Sequence, residues 1–211
     1  MINKEGSMTV AVSVHGINSR DGGKMSIDRV ALGMAVDIVD TDDADYDWTL
    51  FFKTVLFKRI YVERVAGGIK KWVDDPRVKT IFLPVHSNGL NYALQALKLL
   101  AKRNQLNATE IVIISFSGCA NRKVNTDVAD QVYNCHTKHD GWLKLAKWSP
   151  SWTMGSFGLG PYRGDSANVI DKDYAYIAEP IKSHSGWFYG HQLSRTIRDA
   201  NQIVKQYGED V

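Results

Sequence analysis

Ser87 stands in the run Val85-His86-Ser87-Asn88-Gly89, directly after an apolar stretch and directly before an amphipathic one. A serine on a tight strand-to-helix bend projects its hydroxyl clear of the backbone, and the helix start behind it offers free N–H groups to a developing oxyanion. A serine at that place also serves as a plain helix N-cap, so the turn alone fits two uses. The rest of the sequence separates them. A serine hydroxyl needs a base within hydrogen-bond reach, and the base needs a carboxylate to orient it. Asp140 follows a strand-like run, and His184 lies in Ser183-His184-Ser185-Gly186-Trp187, just before the last helix-like segment. His15-Gly16-Ile17-Asn18 follows the first clear strand, where a second oxyanion N–H would come from.

The elements that must position these residues can be read from period and composition. Four short apolar runs stand out: Val10 to Val14, Thr80 to Val85, Glu110 to Phe116 and, more weakly, Asp130 to Cys135. Runs apolar on both faces suit the central strands of a parallel sheet covered on both sides by helices. Between them lie helix-period segments. Leu90, Ala93, Leu94, Leu97 and Leu100 recur at three- and four-residue spacing, and Ile60 to Val73 and Trp187 to Tyr207 read the same way. The last carries Phe188, Leu193, Ile197 and Val204 as its apolar stripe. Alternating strands and helices predict an α/β fold with a mostly parallel sheet and ligands at the carboxyl ends of its strands. From Gly141 to Asn168 the chain turns aromatic and glycine-rich, and we read about 141–168 as an ordered flap over the site.

Other residues compete for the same roles. Asp127, Asp130, Asp165, Asp171 and Asp173 are alternative acids, but Asp140 is the one that directly follows a strand in the expected place. His191 is the rival base, although it falls inside the last helix. His136, His139 and Asp140 have a spacing that a metal could use, but no matching second cluster accompanies them, and no metal is expected. Ser117-Gly118-Cys119 suggests a thiol nucleophile with no base placed for it.

These motifs together resemble the α/β-hydrolase family, in its compact lipase- and esterase-like form. Val12 to Ser19 resembles the oxyanion loop, Val85 to Gly89 the nucleophile elbow, Tyr133 to Asp140 the strand and loop of the acid, and Ser183 to Phe188 the histidine loop. The resemblance runs from about residue 9 to the C-terminus. It implies an α/β-hydrolase fold with helices on both faces and no large cap domain. It also implies a nucleophile at Ser87, an acid at Asp140, a base at His184 and oxyanion donors at the backbone N–H of Ile17 and Asn88. His15, His86, Trp142 and Trp187 are expected to border the substrate pocket. The family's elbow is G-x-S-x-G, and here Val85 replaces the first glycine. The expected activity is hydrolysis of a small carboxylic ester through an acyl-enzyme, without a cofactor. Acyl transfer or amide hydrolysis by the same triad is the alternative, as is a non-catalytic binding role on this fold.

Composition sets the frame. The 211 residues, 44% hydrophobic and 23% charged, fit one domain spanning 1–211. The net charge is +3 and the basic residues are scattered, which gives no reason to expect nucleic acid as a partner. No run approaches the length of a membrane helix, and the polar N-terminus lacks a secretory pattern, so a cytoplasmic protein is expected. Cys119 and Cys135 sit in or beside apolar runs and read as buried free thiols.

Overall fold

The apolar runs form the middle of one sheet. A computed structural model describes residues 7–16, 24–42, 44, 58–146, 156–174, 184–188 and 190–208. Its six strands are all parallel: β1 (Met8–Val12), β2 (Ile38–Asp40), β3 (Val78–His86), β4 (Glu110–Phe116), β5 (Gln131–His136) and β6 (Val169–Asp173), in the order β2-β1-β3-β4-β5-β6. The helices are α1 (Lys24–Leu32), α2 (Lys58–Val73), α3 (Gly89–Lys102), α4 (Gly141–Ala146) and α5 (Gly190–Gly208), with a 3₁₀ turn at Phe157–Leu159. The class is α/β.

Alternation along the strands builds two cores. Val10, Val12, Ile81, Leu83, Val85, Ile111 and Ile113 point to one face and pack with α2 and α3. Ala11, Phe82, Val112, Ile114, Phe116, Tyr133 and Cys135 point to the other and pack with α1 and α5. Both faces are thus covered, which explains why the central strands are apolar at successive positions rather than every second one. On α3, the residues Leu90, Ala93, Leu94, Leu97 and Leu100 are all buried, as their spacing requires. Each leucine so buried contributes roughly 1.5–3 kcal/mol.

The expected strands and helices are present, with bounds displaced by a few residues. Four elements were not foreseen: α1, β2, α4 and β6. β2 has three residues and β6 reads Val-Ile-Asp-Lys-Asp, half exposed at the sheet edge, so neither carries the apolar signature of a central strand. On α5, Ala200, Ile203 and Val204 are buried with Thr196, while Leu193 packs only partly against the core.

The chain runs outward from β1 to β2 and then returns past β1 to β3. The sheet order therefore reverses between β1 and β3, and that switch point is where open α/β sheets leave a crevice at their carboxyl ends. Gly16 follows β1, and Ser87 follows β3. Among the described residues, no helix is long and apolar enough to cross a membrane.

Candidate active site

Ser87 takes a left-handed backbone conformation with φ 53°, one of few non-glycine residues here with positive φ. Holding a serine there costs about 1–3 kcal/mol, so the surroundings must over-determine it. They do. Ser87 N–H donates to the Phe116 carbonyl at 3.2 Å, and the Ser87 carbonyl accepts from Cys119 N–H at 2.7 Å. The bend is thereby tied to the end of β4 and the loop after it. Asn88, the N-cap of α3, has its carbonyl engaged by Tyr92 N–H, which starts the helix. Asn88 offers no side-chain cap to that helix.

Two glycines explain how the turn fits. A Cβ on Gly89 would lie 2.3 Å from the Val14 carbonyl oxygen and 2.7 Å from that of His15, so only glycine lets α3 start this close to the end of β1. A Cβ on Gly16 would lie 2.7 Å from the Ser87 Cβ and 3.2 Å from its Oγ. Val85, where an elbow glycine is usual, stays in strand register opposite Ser115 and bridges to Val14. Its side chain is fully buried among the residues facing α2 and α3. The valine is therefore an ordinary core residue, and the sharp bend begins only at Ser87.

Three chain-distant groups meet at this bend. The Ser87 hydroxyl lies 3.0 Å from His184 Nε2, and His184 Nδ1 lies 2.8 Å from Asp140 Oδ2. An ionised carboxylate can only accept, so Nδ1 carries the proton and Nε2 is left to accept from the Ser87 O–H. Asp140 is fully buried, and its Oδ1 accepts from Leu143 N–H at 3.0 Å, at the start of α4. Burial by itself would push this carboxyl up. Hydrogen bonds and attraction from His184, with further bonds from Leu143 N–H and the Ser117 hydroxyl, outweigh it and hold Asp140 below its ordinary value.

His86 supports the histidine loop from below. Its Nε2–H donates to the His184 carbonyl at 2.7 Å, and its ring packs at 4.8 Å from the His184 ring and 4.9 Å from Phe188. Burial, reinforced by neighbouring His184, lowers the His86 pKa to about 3, so the ring is neutral in the fold. This makes a sign-definite prediction. The unfolded chain takes up a proton at His86 near pH 6.5 while the folded chain does not, so stability present above that pH falls as the solution is acidified toward pH 3. Between pH 7.5 and 5, His86 should contribute a loss of about 2 kcal/mol. Urea denaturation of the native chain and the His86→Gln variant at both pH values checks this: the variant should lose less on acidification. Asp140 acts in the same direction at lower pH, because its depressed pKa confers stability that is lost as pH falls through it.

The remaining expected residues fall in different places. His15 is buried, and its Nδ1–H donates to the Gly16 carbonyl at 2.8 Å. Ile17 lies outside the described residues. Trp142 is 57% exposed on α4. Trp187, expected at the pocket, is instead completely buried: it packs against Phe116 and Tyr174, and its indole N–H donates to the Ser117 hydroxyl at 2.9 Å. The position next to the histidine loop suggests a pocket residue, but Trp187 instead fills the core between the sheet and α5, in one cluster with Phe116, Tyr174 and Phe188. Much of the expected flap, 147–155, lies outside the described residues. Of the rest, Phe157 is buried in the core, and Phe157 and Gly158 bond through their backbones to Ala120, Gly118 and Thr137.

The rival residues are engaged elsewhere. Asp130 accepts from Ile111 N–H, Asp171 from Asn134 and Tyr162, and Asp127 from Asn125. Asp173 lies 3.9 Å from His136, and His191 is exposed on α5. Asp165 is exposed in the turn region before β6. Neither cysteine is in a disulfide, both are buried, and burial pushes the Cys135 thiol up to about 12. Among the described residues, no group of three or more His, Cys, Asp or Glu side chains is placed to hold a metal ion.

One consequence of this packing can be checked directly. Gly16→Ala places a methyl group against Ser87 and should displace the hydroxyl from His184. A shift of about 1 Å at a reacting atom costs on the order of 10²-fold in rate, so any serine-dependent activity should fall at least that far. Comparing the turnover of folded Gly16→Ala and native chains measures it. Compared with known proteins, the chain matches no family model, and no curated protein is significantly similar to it.

Proposed function

We propose that this chain is a serine-dependent hydrolase of the α/β-hydrolase kind, acting on a small carboxylic ester. The observation that carries this reading is the unbroken hydrogen-bonded series from Ser87 through His184 to the buried Asp140. A serine that only capped a helix would have no need of a histidine on its hydroxyl, nor of a left-handed backbone to present it.

On this reading, His184 Nε2 removes the proton from Ser87 as its oxygen attacks the ester carbonyl. The Ser87–acyl bond forms, the carbonyl electrons move onto oxygen, and the imidazolium is stabilised by Asp140. Collapse of the tetrahedral intermediate expels the alcohol, which takes the proton from His184. Water then repeats the sequence against the acyl-enzyme and frees Ser87. The backbone N–H of Asn88, at the start of α3, is assigned to the oxyanion, helped by the partial positive charge of the helix start. Ile17, next after Gly16 in sequence, keeps the second-donor role that the resemblance implies.

The experiment is hydrolysis of short-chain p-nitrophenyl esters, with added alcohols and amines as competing acceptors. Release of nitrophenolate with free acid as the product supports ester hydrolysis. Trapping of the acyl group on the added acceptor points to a transferase built on the same triad. No release from esters or amides would remove the enzymatic reading.

A further inference from the structure

His86 is the last residue of β3, and Ser87 follows it directly. Its backbone N–H donates to the Val14 carbonyl at 3.2 Å, and it pairs in register with Phe116 on β4, so the strand end is held from both sides. Only 5% of the residue is exposed, which makes the ring a packed group rather than a wall of open space. Its Nε2 lies 2.7 Å from the main-chain carbonyl of His184, and its ring packs edge to face on Phe188. A carbonyl oxygen can only accept, so Nε2 carries the proton.

Two adjacent residues of one strand therefore grip a single residue of the histidine loop. His86 holds the main chain of His184, and Ser87 meets its side chain at 3.0 Å. The bonds close a ring: Ser87 Oγ to His184 Nε2, through His184 to its carbonyl, on to His86 Nε2, and back along the chain to Ser87. With that carbonyl pinned, the imidazole keeps only rotation about its own side-chain bonds, and Asp140 at Nδ1 restrains that rotation. The Trp187 carbonyl, three residues on, accepts separately from the Thr196 hydroxyl of α5 at 2.9 Å. One end of the 184–188 segment is thus tied to α5, and the end carrying the base is tied to the strand that carries the nucleophile. Burial keeps His86 neutral, so it supplies a donor without setting a positive charge beside the imidazole that must take up a proton.

We propose that His86 is a positioning residue, whose Nε2–H on the His184 carbonyl sets the reach of the base to the neighbouring nucleophile. This rests on the hydrolase reading above. It gives His86 a part in turnover rather than the contact with substrate expected from the sequence.

The test compares the full chain with His86→Gln, His86→Asn and His86→Phe, with rates normalised to the folded fraction from thermal melts. Glutamine carries its amide nitrogen about where Nε2 of the imidazole lies, and asparagine about where Nδ1 lies. Phenylalanine keeps a ring and has no donor. For His86→Asn and His86→Phe, normalised kcat should fall roughly 10- to 100-fold with KM changed by less than about 2-fold. His86→Gln should stay within about 5-fold of the native chain. Equal normalised kcat in the glutamine and asparagine variants overturns the proposal, because packing alone does not distinguish where the donor sits. A change confined to KM also overturns it and returns His86 to the substrate pocket. If the native chain hydrolyses nothing, the hydrolase reading fails, and ¹⁵N spectra of labelled histidine then decide the positioning role alone. Both amide variants lose the same ring, so a His184 ring signal kept in His86→Gln and displaced or broadened in His86→Asn supports it. The same His184 signal in both overturns it.

Discussion

Ser87→Ala should lower ester turnover by about 10⁵- to 10⁶-fold in kcat while leaving the fold intact. The hydroxyl is the atom that becomes bonded to substrate, and nothing within reach replaces it. His184 would keep its bond to Asp140 and its carbonyl bond from His86, so the base would remain in place with no nucleophile to activate. The backbone of the turn is held by Phe116 and Cys119 rather than by the serine side chain, and alanine removes only one half of the Oγ–Nε2 hydrogen bond. Stability should therefore stay within about 1 kcal/mol of the native chain. Steady-state hydrolysis and a thermal melt on the same preparation measure both halves of this expectation.

Asp140→Asn should cost about 10⁴-fold in kcat through a tautomer change rather than through unfolding. The carboxylate accepts on both oxygens: Oδ1 from Leu143 N–H and Oδ2 from His184 Nδ1–H. An asparagine has one acceptor oxygen. If that oxygen stays with Leu143, the amide NH₂ faces His184 and can only donate. The ring must then accept at Nδ1 and carry its proton on Nε2, where it points at Ser87 and cannot take the serine proton. The site would look nearly unchanged in outline and be almost inactive. Kinetics together with ¹⁵N spectra of labelled histidine would show the protonated nitrogen change from Nδ1 to Nε2.

Much of the site was legible before the fold because its pieces sit where the chain's texture changes. β3 is apolar from Ile81 to Val85 and β4 from Ile111 to Ile114, and each strand is followed by a serine in a left-handed turn, Ser87 and Ser117. Such a break in pattern is visible in sequence. The pairing of Ser87 with Asp140 and His184 could be inferred from their order, since each follows a strand-like or helix-flanking boundary. What stayed hidden depended on three-dimensional neighbours. β6 is charged and at an edge, so its role in leading toward the histidine loop left no apolar trace. Trp187 has the composition of a pocket residue, and only the layering of Phe116 and Tyr174 makes it core. Val85 looked like a fault in the motif and proves to be a strand residue with its side chain in the hydrophobic core.

The central claim is that the fold activates Ser87, and reaction of the intact chain with a fluorophosphonate addresses that claim most directly. The probe phosphonylates only a serine whose proton is being removed, so chemistry rather than exposure is read. Mass spectrometry of the digested, labelled protein should find one adduct, on the peptide containing Ser87, formed in the folded chain and absent after denaturation in urea or in His184→Ala. An unlabelled chain, or an adduct on a different serine with Ser87 untouched, would contradict the account.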